Sequence, residues 1–245
     1  MNRRDFFRLA SMAGAGVSAA GLSNLVRAAT PAQLGTVPTN TGISGRVVVI
    51  GGGMAGATVA KYLRLWGGSG VSVTLVERET TYASNILSNL VLNGQRTMTS
   101  LQFGYTNLAT RYGVALVKGD VAAIDPVSHG VTLVDGRKLS YDRLVVAPGI
   151  DLDIIPGLET AAAQAKVTHA WKAGTQTTVL RNQLLAMKPG GVFVMSIPVK
   201  PYRCPPGPYE RACVVADWLK KNRAGSKVIV LDANTGITAE PLAFS

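Results

Sequence analysis

Three glycines and one glutamate stand at the spacing of a dinucleotide-binding turn. Gly51, Gly53 and Gly56 satisfy the pattern G-x-G-x-x-G, and Glu77 follows about 20 residues later. In this motif the first glycine permits a tight turn, the second lets the backbone approach a pyrophosphate, and the third lets a helix pack closely on a strand. The carboxylate can accept a ribose hydroxyl, and an acid at this position argues against a 2′-phosphate. These residues predict that the chain binds a dinucleotide.

A second candidate for chemistry is Cys204, which precedes a helix predicted from about Pro208 to Lys221. The helix N-terminus, the adjacent Arg203 and the nearby Arg211 favour the thiolate, the form that a redox or nucleophilic cysteine needs. The alternative is a buried, inert cysteine. Cys213 falls inside the helix, and we expect it to be structural. The helical rise places the two Cα atoms more than about 7 Å apart, which disfavours a direct disulfide.

Short β-branched runs position the glycines and the acid. Residues 47–50 are too few for a helix and read as a strand, and residues 71–76 form a second strand that ends at Glu77. A helix is expected between the glycines and the second strand, with its N-terminus facing the phosphates. The order of strand, turn, helix, strand and acid distinguishes this motif from a glycine-rich turn without a ligand.

The middle of the chain changes its pattern twice. Residues 80–94 are turn-rich and then weakly helical, and they are expected to run beside the nucleotide. From Gly113 strand-like runs continue to the turn dipeptide Asp135-Gly136, which predicts a β-meander. Residues 144–147 then read as a buried strand that returns to the nucleotide domain and is stopped by Pro148-Gly149.

The last third of the chain predicts another βαβ unit. Its strands cover residues 192–197 and 228–231, on either side of the helix that follows Cys204. In place of a second glycine motif stands the proline-rich stretch at residues 198–211. Its prolines fix the backbone and remove amide donors that a pyrophosphate would need, so nicotinamide binding is not expected. The predicted fold class is therefore α/β, with two Rossmann-like dinucleotide-binding βαβ units and a β-meander insertion, the second unit and a C-terminal domain being incomplete.

Residues 1–29 have the features of an export signal. Arg3-Arg4 stands before two phenylalanines, and an apolar run of small residues follows, interrupted by glycines. We expect a Tat signal peptide, periplasmic localisation and no permanent membrane span. Residues 30–44 are expected to be a flexible linker.

The formal charge of the 245 residues is +11, and 47% of them are apolar, enough to bury a core. Because the basic residues form no block with interleaved aromatics, nucleic-acid binding is not predicted. The charge is interpreted as a field for an acidic partner or surface, with a merely basic solvated surface as the open alternative. No metal site is predicted.

Residues 45 to 149 resemble the FAD-binding half of the pyridine nucleotide-disulfide oxidoreductase-like flavoproteins. The three glycines, Glu77 and the Val-Val-Ala-Pro-Gly motif at residues 145–149 carry this resemblance. It implies that the glycine motif and its acid hold the ADP moiety of FAD. The residues assigned to the cofactor are Gly51, Gly53, Ala55, Gly56, Glu77, Arg78, Asn85, Ala147 and Gly149.

The stretches AWKAG at residues 170–174 and PYRCPPGPYERA at residues 201–212 resemble the flavoprotein subunit of flavocytochrome c sulfide dehydrogenase, and the likeness runs from about residue 45 to 233. In that family the cysteine matching Cys204 pairs with a distant one in a redox-active disulfide, sulfide is oxidised, and electrons pass through FAD to a c-type cytochrome subunit. The resemblance implies these roles here. The family's flavin-tethering cysteine would fall near Asn85, which cannot form a thioether, so FAD is expected to be non-covalent.

Relative to that family we expect a C-terminally truncated chain, with the resolving cysteine beyond Ser245. The expected domains are a FAD-binding domain over residues 45–155 and a second Rossmann-like domain over residues 156–245. Three functions stay open: a periplasmic sulfide-oxidising flavoenzyme subunit, a quinone- or NADH-linked relative, and an inactive fragment that binds flavin or a partner.

Overall fold

The computed structural model describes residues 35–39 and 41–244. The predicted signal peptide, residues 1–29, lies outside these ranges, and so does part of the predicted linker. The strands are β1 (Gly45–Ile50), β2 (Val71–Glu77), β3 (Thr81–Ala83), β4 (Gln102–Gly104), β5 (Ala115–Lys118), β6 (Val121–Asp125), β7 (Gly130–Leu133), β8 (Lys138–Ser140), β9 (Arg143–Val146), β10 (Val192–Ile197) and β11 (Lys227–Asp232). The α-helices are α1 (Met54–Gly67), α2 (Asn89–Leu92), α3 (Thr106–Tyr112), α4 (Ala161–Lys166), α5 (Thr175–Ala186), α6 (Gly207–Asn222) and α7 (Pro241–Phe244).

A parallel sheet with the strand order β5-β2-β1-β9 carries the glycine turn. The side chains of β1 point alternately to the two faces of the sheet, and both faces are covered. Val47 and Val49 pack with Ala60 of α1 on one face, and Val48 packs with Val131 and the meander on the other. A strand buried on both faces has to be apolar at every position, which explains the continuous β-branched run.

The predicted β-meander begins later than expected. β6, β7 and β8 form an antiparallel sheet, but the preceding strand β5 pairs in parallel with β2, with Leu116 opposite Leu75. Pairing with β2 extends the parallel sheet by one strand, so residues 115–118 belong to the nucleotide-binding unit. The strand predicted as buried at residues 144–147 is the edge strand β9, and Val146 is 56% exposed.

The second βαβ unit consists of β10, α6 and β11, and its strands pair in parallel from Val192 with Lys227 to Ile197 with Asp232. Helices α5 and α6 share one apolar cluster, in which Leu184 and Leu219 are fully buried. Leu92 of α2 joins this cluster, so the segment after β3 packs on the second unit. The prediction of two Rossmann-like units is confirmed, whereas the domain boundaries stay predictions. Within the described ranges, no helix is long and apolar enough to cross a bilayer.

Candidate functional site

Backbone closes the turn between β1 and α1 on two sides. Gly51 donates its amide to Val76 O at 2.9 Å and has φ +95°, a conformation that favours glycine. A Cβ on Gly51 would lie 2.2 Å from Ala147 O, and a Cβ on Gly56 would lie 1.8 Å from Gly51 O. The first and third glycines of the motif are therefore needed for the chain to fold around the turn.

Gly53 differs, because its own surroundings are open. The nearest atom to a Cβ there would be in the Tyr82 ring, at 3.9 Å. Gly53 is the N-cap of α1, no side chain caps this helix end, and its first turn contains no acidic residue. Ala55 is exposed in that first turn. A helix N-terminus with uncapped amides and open space beside a glycine has the chemistry that binds a phosphate.

Glu77 ends β2 next to the same turn. Its Oε2 accepts the Gly52 amide at 2.5 Å, and its Oε1 accepts the Glu79 amide at 2.9 Å. These two donors fix the carboxylate, and each oxygen keeps a further lone pair for a ribose hydroxyl. Arg78 points elsewhere, with its guanidinium 3.7 Å from Asp120 at the surface. Glu77 therefore has the geometry to bind a ribose beside the glycine turn, whereas the Arg78 side chain lies away from this site.

A cleft of about 530 Å³ opens beside the turn, a volume typical of small-molecule sites. Its lining includes Gly53, Lys61, Tyr82 and Tyr105. The Tyr105 ring covers Gly52, since a Cβ there would lie 2.7 Å from it. Burial, followed by the negative charge of Glu77, raises the pKa of Tyr105 to about 12, so the phenol stays neutral. Lys61 provides the cleft with a positive charge, which suits an anionic ligand.

The other predicted cofactor residues follow β9 or lie near β3. Ala147 donates its amide to Ile50 O at 2.8 Å and so meets the glycine turn, and Gly149 has φ +83° with no atom within 4 Å of its Cβ position. The side chain of Asn85 is instead bonded to another segment of the chain. Its Oδ1 accepts the amide of Ala173 at 2.7 Å, so its side chain links the loop after β3 to the segment before α5.

Cys204 lies in the turn between β10 and α6 and is exposed. Its φ is +57°, which is unusual for a residue with a side chain, and its carbonyl accepts the amide of Gly207, the first residue of α6, at 2.9 Å. The exposure excludes a buried, inert thiol. Cys213, for which a structural role was expected, is exposed as well. Both thiols are free in the structure.

Two groups near Cys204 have roles that the sequence did not indicate. The sequence predicted Arg211 only as a nearby positive charge that favours the thiolate, and it assigned no role to Trp171, but Arg211 is 3% exposed. A signal for the burial exists, since Arg211 precedes Val215 and Leu219 at helical spacing on the buried stripe of α6. Tyr105 was also missed, and its contact with the glycine turn depends on tertiary packing. In the described part of the chain, no group of three or more His, Cys, Asp or Glu could hold a metal ion.

At the carboxyl edge of the second βαβ unit, side chains of the same chain bond to one another. Asp232, at the end of β11, accepts a hydrogen bond from Tyr209 Oη at 2.7 Å and another from Asn234 Nδ2 at 2.7 Å. Tyr209 Oη in turn accepts the amide of Thr238 at 3.0 Å, and Tyr202 Oη lies 2.5 Å from Thr238 Oγ1. In a Rossmann unit an acid at this edge binds a ribose. Here three donors of the chain itself bond Asp232: Tyr209 Oη on one oxygen, and the amide and side-chain nitrogens of Asn234 on the other.

Known protein families match both the N-terminal and the C-terminal βαβ unit of this chain. Residues 45–189 match the family described as pyridine nucleotide-disulphide oxidoreductase, and residues 177–244 match the central part of the flavoprotein chain of sulfide dehydrogenase (flavocytochrome c). The mitochondrial sulfide:quinone oxidoreductase of Dictyostelium discoideum is 25% identical over 185 residues, which are 75% of this chain and 40% of that protein.

Two solved structures share the fold. The putidaredoxin reductase–putidaredoxin complex has a TM-score of 0.59 at 25% identity and is matched over 80% of this chain and 44% of that one. The sulfide:quinone oxidoreductase of Aquifex aeolicus has a TM-score of 0.56 at 25% identity, over 76% and 43%. This chain thus spans less than half the length of these relatives. Because the family match at residues 45–189 covers more than half of the chain, the protein belongs to the pyridine nucleotide-disulphide oxidoreductase family.

Proposed function

We propose that the protein is the flavoprotein part of an FAD-dependent oxidoreductase that oxidises sulfide, with Cys204 as the reacting thiol. The observation that carries the proposal is the exposed Cys204 in the turn between β10 and α6, the place where a dinucleotide-binding Rossmann unit carries its glycine motif. Residues 177–244, which contain this turn, match a sulfide dehydrogenase flavoprotein family, and two relatives are named sulfide:quinone oxidoreductases.

The glycine turn and Glu77 would hold FAD. The uncapped start of α1 and the open backbone at Gly53 fit a pyrophosphate, and the fixed carboxylate of Glu77 fits a ribose. Ala147 keeps the turn closed from the side of β9. When bound, FAD supplies an acceptor for two electrons that can release them one at a time.

Cys204 would be the thiol that takes up the sulfide sulfur; a bond between the two sulfurs forms only as two electrons leave them, and bound FAD would supply the acceptor. Its position ahead of α6 and next to Arg203 puts positive potential near a thiolate, and its exposure lets a small anion reach the sulfur. The proline-fixed turn holds the backbone of the thiol in place. The chain thus provides positioning and electrostatics, and the flavin provides the electron transfer.

For the electron acceptor we propose a c-type cytochrome subunit, with a quinone as the alternative. The match of residues 177–244 to a flavocytochrome c chain supports the first, and the names of the sulfide:quinone oxidoreductases support the second. An NADH-linked reaction is disfavoured, because prolines stand in the turn after β10, where they remove amide donors that a pyrophosphate would need. Tat export to the periplasm, inferred from residues 1–29, belongs to the same proposal.

The first test is reduction of the flavin by sulfide. Anaerobic addition of sulfide to the FAD-loaded protein is expected to bleach the visible flavin absorbance, whereas NADH is expected to leave it unchanged. Dithionite serves as the control for complete reduction. Bleaching by NADH without bleaching by sulfide would contradict the proposal and favour the NADH-linked alternative. Reoxidation by cytochrome c or by a short-chain quinone then identifies the acceptor.

The second test concerns the attachment of the flavin. Acid precipitation is expected to release all flavin into the supernatant, because Asn85 carries no sulfur and its Oδ1 binds the backbone of Ala173. The measurement is the flavin absorbance of pellet and supernatant, with free FAD added to the same protein as the recovery control. Flavin that stays in the washed pellet would show a covalent bond.

A further inference from the structure

Arg211 is buried and makes contacts to several segments at once. Its Nη1 and Nη2 donate to the carbonyl oxygens of His169 and Ala170 at 2.5 and 2.8 Å, and its Nε donates to Asn89 Oδ1 at 3.0 Å. Its guanidinium lies 3.4 Å from the centre of the Trp171 ring. Burial lowers the pKa of Arg211 to about 9, which still leaves the group protonated at neutral pH.

The segment that Arg211 binds is not in a relaxed conformation. Ala170 has φ +51°, so the chain turns sharply between His169 and Trp171. Arg211 bonds the carbonyls of both residues 169 and 170, and His169 Nδ1 accepts the amide of Trp171 at 3.0 Å. Burial, followed by the charge of Arg211, lowers the pKa of His169, which keeps that nitrogen available as an acceptor. Without the guanidinium, two carbonyls would lose their donor and the indole would lose the surface on which it stacks.

Trp171 in turn lies beside the thiol. A Cβ placed on Gly207 would be 3.1 Å from Cys204 Sγ and 3.5 Å from Trp171 Cζ3. Both atoms therefore lie close to the same point over the first residue of α6, so the indole and the sulfur are neighbours.

We propose that Arg211 is a positioning residue that holds the indole of Trp171 as a wall beside Cys204. This wall restricts the side from which a reactant reaches the thiol and favours small reactants over bulky ones. Asn89, which bonds Arg211 and donates to Glu210 Oε2 at 2.8 Å, extends the support to α2. The inference rests on the proposed function only in taking Cys204 as the reacting thiol.

The test compares alkylation of Cys204 and Cys213 in the purified protein. Iodoacetamide and the bulkier N-pyrenylmaleimide are applied to wild type, Arg211→Met, Trp171→Ala and the double variant, and both cysteines are followed by peptide mapping. The exposed Cys213 reports any general loosening in the same molecules. The matched control is Arg223→Met, since Arg223 also bonds carbonyls, including Met187 O, and lies 5.2 Å from the Trp218 ring at the opposite end of α6.

Each single variant is expected to raise the ratio of Cys204 to Cys213 labelling about threefold or more, with a larger rise for the maleimide, and the double variant is expected to match the single ones because both act on one contact. Arg223→Met should leave the ratio unchanged. An unchanged ratio in Arg211→Met, equal rises at both cysteines, or additive effects in the double variant would overturn the proposal.

Arg211→Met removes the donor from one buried and one partly buried carbonyl, so this variant has a risk of not folding. Arg211→Lys keeps the charge without the fork that bonds two carbonyls, and it is expected to raise the ratio as well. A folded Arg211→Lys protein with the wild-type ratio would refute the role. Because the readout needs no sulfide, failure of sulfide oxidation refutes the proposed function and leaves this result standing.

Discussion

A Gly56→Ala variant is expected not to fold at its first βαβ unit, whereas Gly53→Ala is expected to fold and to lose flavin. A Cβ on Gly56 would lie 1.8 Å from Gly51 O and 3.3 Å from Val49 Cγ1, so α1 would have to move off β1. The neighbouring atoms are backbone of the turn and a side chain of the buried strand. We expect a loss of more than about 4 kcal/mol in the free energy of unfolding, in the range of severe core defects.

The same methyl group on Gly53 meets a different environment. Its nearest neighbour would be the Tyr82 ring at 3.9 Å, an ordinary contact, so the apoprotein should keep its stability. The space it fills is the one in which a pyrophosphate approaches the start of α1. A Gly53→Ala protein that folds but loses flavin would therefore show that Gly53 serves the approach of the pyrophosphate.

The measurements are urea unfolding followed by circular dichroism, and flavin content after gel filtration with added FAD. Gly236→Ala is the control, because a Cβ there has no atom within 4 Å and Gly236 follows β11, outside the lining of the cleft. A stable Gly56→Ala protein would show that the turn is built differently. A Gly53→Ala protein that retains stoichiometric flavin would show that the cofactor binds elsewhere.

Local patterns were enough to predict the elements around this turn. β1, α1 and β2 follow from an apolar β-branched run, a glycine spacing and a second run, all within residues 45–77. The same is true of β10, α6 and β11, whose observed bounds lie within about one residue of the predicted strands and helix, the usual scatter of element ends. The positive φ of Gly51, the close approach of Gly56 to Gly51 O and the periodicity of the strands all act over a few residues, so they can be predicted from the local sequence.

The features that were missed depend on partners distant in sequence. Residues 115–118 have the pattern of any short strand, and only the pairing with β2 makes them part of the parallel sheet. The burial of Arg211 depends on carbonyls some 40 residues away, at His169 and Ala170. Cys213 looked structural because it lies inside a helix, yet it faces solvent. Which strand a segment pairs with, and which helix side chains are buried, depend on tertiary contacts. The local sequence pattern is compatible with more than one outcome.

A Cys204→Ser variant is expected to bind FAD normally and to lose sulfide-dependent flavin reduction. Cys204 lies in the second βαβ unit, whereas the residues proposed to hold the pyrophosphate and ribose lie at the turn after β1 and at the end of β2. Serine nearly keeps the size of the side chain but has no sulfur, so the bond between Cys204 and the sulfide sulfur, whose formation would deliver two electrons to the flavin, should not form. Bleaching by sulfide should fall to the rate seen with free FAD.

Cys213→Ser is the matched control, because Cys213 is the same residue type, is exposed, and lies within α6 away from the helix N-terminus. This variant is expected to retain the wild-type bleaching rate. In the wild type, iodoacetamide should also label Cys204 faster than Cys213, since only Cys204 stands ahead of the helix with Arg203 beside it. Sulfide-dependent reduction that survives Cys204→Ser, or that is lost in Cys213→Ser, would remove Cys204 from the mechanism. The two variants together decide which thiol reacts, because each keeps the fold and the flavin site while removing one sulfur.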